Sequence, residues 1–169
     1  MISESEVRII AKEILVNLIQ LPDRMLEPWR SADIGEPRLV YTQNLDPSHW
    51  TIPVQLRAKV LGRIDISLEG IMMGHAYFYQ NPNNLDICPS TVTRITREEA
   101  IQQAQSILDA FIDAEFSEPI FVVDKQKNQL AWMIEVRIRR RLTSRVFVTL
   151  GYVYQRDIDE GPPPKGVRG

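Results

Sequence analysis

Apolar residues change period along the chain, and the changes mark out its elements. Val7, Ile10, Ala11, Ile14 and Leu18 recur at helical spacing, as do Ala100, Ala104, Ile107, Leu108 and Phe111. Each set forms one apolar stripe on a helix. A capping box precedes each stripe, Ser3 with Glu6 and Thr96 with Glu99. The hydroxyl accepts from the third helical N–H, and the glutamate accepts from the cap residue's own N–H. After Glu36-Pro37, and again after Glu118-Pro119, the period drops to two. Trp132, Ile134, Val136 and Ile138 alternate with Met133, Glu135, Arg137 and Arg139. That spacing predicts a strand with one dry face and one largely wet face. Pro53 has no donor N–H, so its strand is expected at an edge or a bulge. Residues 58–62 and 141–144 are expected to turn two long hairpins.

The pattern occurs twice. Trp50 and Trp132 are separated by a fixed offset (132 − 50 = 82), which the two Glu-Pro pairs share. Residues 63–68 lie over residues 145–150 at the same offset. The expected fold class is therefore α+β, an internal duplication of an α-β-β-β unit, each a helix packed on an antiparallel sheet. The first α+β repeat is placed at 1–80, a turn-rich connector at 81–94, the second repeat at 95–157 and a flexible Pro/Gly tail at 158–169. One helix on three strands is marginal alone, so the units are expected to pack together or to join their sheets. The matched Trp50 and Trp132 open the inward-facing register of their strands and are read as core rather than as a ligand platform.

Composition narrows the function classes. The 169 residues make one large domain or two small ones. The net charge of −2 lacks the broad electrostatic footprint of a nucleic-acid binder. One cysteine, Cys88, excludes an internal disulfide. There is no basic segment followed by an apolar stretch at the start, and no run long enough to cross a bilayer. A cytoplasmic location with no membrane association is the expectation. The two histidines, His49 and His75, have no paired spacing, so no metal site is expected. Asp109 and Asp113 share a helix face and are read as solvated. His49 is read as a surface or rim residue, and His75, among small neighbours, as able to face inward. No nucleophile elbow, phosphate loop or dinucleotide fingerprint is present. The expectation is a non-enzymatic chain with no cofactor and no catalytic residue.

One cluster carries binding chemistry. Arg137, Arg139, Arg140, Arg141 and Arg145 fall within residues 136–151, where no acid interrupts. Guanidinium forks of this kind clamp carboxylates and phosphates, and Phe147 and Tyr152 lie close by in sequence. The first half has only Arg57, Lys59 and Arg63 at matching places. Glu135 is expected to pair with an arginine across the hairpin. The candidate binding residues are Arg137, Arg139, Arg141, Arg145 and Tyr152.

Ile95-Thr96-Arg97-Glu98-Glu99-Ala100-Ile101, followed by Ala104 and a Trp-led strand, resembles the PepSY domain. The resemblance covers residues 95–155 and, more faintly, 2–80. It implies a cystatin-like fold, tandem occurrence and a role in binding or restraining other proteins, peptidases among them. Gln155-Arg156-Asp157 stands where that family has an Asp-x-x-Gly-like turn. The resulting reading is a binding or regulatory module acting on another protein, with a second copy of the chain among the candidate partners. The alternatives are a small-ligand or enzymatic pocket in a cone-shaped α+β fold, and RNA or single-stranded DNA binding through the arginine hairpin.

Overall fold

The computed structural model describes residues 1–107, 114–124, 129–149 and 152–158. Leu108, Asp109, Phe111, Asp113, Leu150 and the tail from 159 onward, all named above, lie outside the described residues. Helix α1 spans Glu4–Leu18 and helix α2 spans Arg97–Ser106, each behind a complete capping box at Ser3–Glu6 and Thr96–Glu99. A 3₁₀ helix, Arg24–Ser31, follows α1. The strands are β1 (Asp33–Ile34), β2 (Arg38–Tyr41), β3 (Pro47–Leu56), β4 (Lys59–Ser67), β5 (Met72–Tyr77), β6 (Ala114–Phe116), β7 (Ile120–Asp124), β8 (Gln129–Ile138), β9 (Arg141–Thr149) and β10 (Tyr152–Asp157).

The expected pair of α-β-β-β units, each a helix on its own antiparallel sheet in the cystatin-like manner, does not form. The chain builds one mixed ten-stranded sheet in the order β10-β9-β8-β7-β2-β3-β4-β5, with β1 added to β3 and β6 to β8. The join is a parallel pairing of β2 with β7 at Tyr41 and Val122. Left apart, two short strands would each expose a row of unpaired N–H and C=O groups; paired, they bury both edges. Alternation in sequence records which face of a strand is apolar, not which edges meet.

The join also decides where the helices sit. Leu39 and Val40 are neighbours on β2, so their side chains leave opposite faces. Leu39 packs with Val7, Ala11, Leu15, Trp50 and Ile52. Val40 packs with Ala100, Ala104, Trp132 and Ile134. Helices α1 and α2 therefore cover opposite faces of one sheet. Neither half keeps the wet face that alternation predicts: β8 is buried without a break from Leu130 to Val136. A third cluster, Val122, Ala131, Met133 and Phe147, fills the face of β7–β9 opposite α2.

Both tryptophans of the matched strands are core residues, with Trp50 and Trp132 nearly buried. The third, Trp29, is fully buried and comes from the 3₁₀ helix. It lies against β4 where Gly62 leaves room: a Cβ there would stand 2.6 Å from Trp29 Cζ2 and 2.2 Å from the Ala76 carbonyl oxygen. Pro53 sits in an interior strand, but at a break. Strand β2 pairs β3 only as far as Thr51, β1 pairs it from Val54, and a register shift follows at Val54–Gln55. The missing N–H thus falls in the gap between two partners.

Candidate functional site

The arginine-rich segment is the distal end of the β8–β9 hairpin. Ile138 pairs with Arg141, leaving Arg139 and Arg140 as a two-residue loop. The turn is not at residues 141–144 as expected, nor is the first hairpin's at 58–62; there Leu56 pairs with Lys59 around Arg57 and Ala58. Both ladders extend until only two residues remain to reverse the chain. Arg139 and Arg140 have φ of 50° and 65°, which is the backbone of the tight primed turn that matches strand twist. That turn favours Asn-Gly, and two arginines there are strained. Polarity placed the turn too late because the polar run 141–144 belongs to an outgoing strand.

The candidate arginines divide into two groups. Arg139, Arg140 and Arg141 are exposed, and among the described residues no acid pairs with them. Arg137 and Arg145 are committed to Glu135. Arg145 Nη2 donates to Glu135 Oε1 and Arg137 Nη2 to Oε2, each at 3.2 Å. The expected cross-hairpin pairing of Glu135 is thus present. Arg145 also donates to the Gln43 carbonyl at 2.7 Å. Tyr152 is exposed but starts β10 opposite Thr149, at the far end of β9 from the turn. Eight residues of strand put them about 27 Å apart. Phe147, close to the arginines in sequence, is buried. Tyr154 stacks on it with ring centroids 5.3 Å apart, and the Arg156 guanidinium lies 4.6 Å over its ring.

Sequence reasoning missed the groove beside the turn. An open groove of about 800 Å³ is lined by Ile138, Arg139, Arg141, Leu142, Thr143 and Ile158. Ile158 is held there by its N–H donating to the Thr143 carbonyl at 3.1 Å. The apolar pair Ile138 and Leu142 flanking the arginines was the available signal; the contribution of Ile158 is nonlocal.

A second polar cluster was also missed. Asp124 is fully buried. It accepts from Gln43 Nε2 at 2.8 Å, from Arg156 Nη2 at 2.9 Å and from the Tyr154 hydroxyl. It fastens β10 and the turn after β2 to the end of β7. In the first half, His49 is buried rather than a rim residue. Burial holds its imidazole below the ordinary histidine pKa, with Asp65 opposing and Arg63 reinforcing the shift. His75 is exposed and edges onto Trp29 at 5.8 Å between ring centroids. Among the described residues no group of three metal-ligating side chains comes together, and no helix is long and apolar enough to cross a membrane.

Comparison with known proteins finds no family model, curated protein or solved structure that matches the chain.

Proposed function

We propose that this chain is a non-enzymatic binding module that holds an acidic segment of a partner protein in the groove at the β8–β9 tip. One observation carries the reading: Arg139, Arg140 and Arg141 are exposed, without acid partners among the described residues, at a strained turn where Arg139 and Arg141 line a groove together with Ile138, Leu142, Thr143 and Ile158. Strained backbone of this kind gathers where a surface is used. Arginine forks take carboxylates in two-point fashion, and Ile138, Leu142 and Ile158 offer apolar contact between them. A peptide alternating Glu and Leu has the matching chemistry. Nucleic acid is the weaker fit, because Phe147 is buried and Tyr152 lies at the other end of the strand, so neither offers an aromatic platform at the arginines.

Fluorescence anisotropy with three labelled probes tests this: an alternating Glu/Leu peptide, its Gln/Leu counterpart and oligo-dT. The expected result is salt-sensitive binding of the Glu/Leu peptide, weakened at least tenfold by Arg139→Glu with Arg141→Glu. Equal affinity for the Gln/Leu peptide, preference for oligo-dT, or indifference to the double substitution would each overturn it.

A further inference from the structure

A separate cleft lies on the α2 side of the sheet, away from the hairpin tip. It has two lobes that share Arg63, Gln129 and Leu130. One lobe, about 270 Å³, adds His49, Asp65 and Val123. The other, about 230 Å³, adds Phe78, Val92, Thr93, Arg94 and Thr149. Each lobe is the size of a small organic molecule and smaller than a drug-sized pocket.

Its charge is unbalanced in a specific way. Arg63 gives Nε to Asp65 Oδ2 at 3.1 Å, while Thr51 donates to the other Asp65 oxygen at 2.7 Å. Asp65 therefore neutralises Arg63 but takes only one of its nitrogens, and the terminal pair has no bond among the described residues. Arg94 has no acid partner among them either. Its guanidinium lies 5.4 Å over the Phe78 ring, and its φ of 63° is a conformation that side chains other than Asn, Asp and Gly rarely adopt. Buried His49 adds no charge when neutral. Among the described residues that line it, the cleft thus carries two guanidinium groups, of which one has no acid partner, and walls of Phe78, Val92, Val123 and Leu130. We infer that this cleft binds a small organic monoanion, a carboxylate on a flat apolar body, with Arg63 and Arg94 clamping the carboxylate and Phe78 and Leu130 holding the body. Cation–π contact with Phe78 keeps Arg94 over the opening before the ligand arrives.

Methyl-resolved NMR titration of the full chain with benzoate, benzyl alcohol and inorganic phosphate tests it. Benzoate should shift the Val92 and Leu130 methyls saturably, at least tenfold more tightly than benzyl alcohol, and phosphate should leave the Leu130 methyls in place. Arg94→Asn, which removes the guanidinium and suits the backbone, should weaken benzoate at least tenfold. Arg63→Lys, which keeps the charge toward Asp65 but loses the fork, should weaken it also. Benzyl alcohol binding as well as benzoate would overturn the inference. So would phosphate producing the same Leu130 shifts, or benzoate affinity unchanged in Arg94→Asn.

Discussion

The β3–β4 and β8–β9 hairpins have strands of ten and nine residues and close through two-residue loops. They spend their charges differently. At the first tip, Lys59 is tied to Asp86 at 2.7 Å and to the Leu85 carbonyl at 3.1 Å, which leaves Arg57 as its one exposed cation with no acid partner among the described residues. Beside it lies a largely apolar groove of about 590 Å³. At the second tip, three arginines face solvent without acids among the described residues. Along the strands the order reverses. The first hairpin places its Arg63–Asp65 pair on an open cleft, whereas the second commits Arg145 to Glu135, which is buried, and backs this with the Asp124 cluster. A hairpin can be electrostatically finished at its middle or at its tip. The unfinished end is where a partner can contribute.

The deepest test of that contrast removes one charge from each half. Arg156→Ala removes the guanidinium that pairs with fully buried Asp124, and breaking such a pair is expected to lower stability by about 3 kcal/mol. Arg63→Ala touches a pair reached by solvent and should lower it by about 1 kcal/mol. Urea denaturation at constant pH reads both; equal losses would erase the distinction between a sealed and an open cluster. Next in size is Gly62→Ala. Its Cβ would meet backbone on one side and Trp29 on the other, so about 2 kcal/mol is expected. Gly74→Ala, with nothing within 4 Å, should be nearly silent. If the two substitutions match, Trp29 does not press on β4 as described.

His49 separates the halves by pH. Its folded-state pKa lies below the unfolded value of about 6.5. The unfolded chain therefore binds the proton first as pH falls. Stability from this group is full above about pH 6.5, declines as pH falls toward the folded-state value, and changes no further below it. Asp65 and Arg63 are the charged groups facing the ring. His49→Gln should flatten this part of a stability–pH curve measured from pH 7 to pH 5. An unchanged slope would show that the imidazole is not held neutral by burial.

Local signals were legible and long-range ones were not. Both capping boxes could be read because each lies within four residues, and the burial of Val7, Ala11, Ala100 and Ala104 followed from helical spacing. The single-sheet architecture could not be read, since it depends on Tyr41 meeting Val122, a pairing that no periodicity encodes. The same holds for Gln43, Asp124 and Arg156, which are far apart in sequence and converge only once β2 joins β7. Trp29 was missed because a 3₁₀ helix containing Pro28 has neither period. The exposed arginines were found, but not their turn, because Arg-Arg violates the turn chemistry from which turns are read.

That violation supports the smallest and most discriminating prediction. Arg139→Asn with Arg140→Gly installs the residues that a primed two-residue turn prefers, at φ values the backbone already has. Relief of strain should raise stability by about 1 kcal/mol, offset in part by the greater freedom of glycine in the unfolded chain. The corresponding change at the first tip, Arg57→Asn, relieves only one left-handed residue and should gain less. Thermal denaturation compares the two gains, and Glu/Leu peptide anisotropy is read on the same samples. If the arginines are kept on strained backbone for binding, the second-tip variant becomes more stable and loses the peptide, while the first-tip variant keeps it. A second-tip variant that gains stability and still binds would leave the strain unexplained by recognition and return the two hairpins to equivalence.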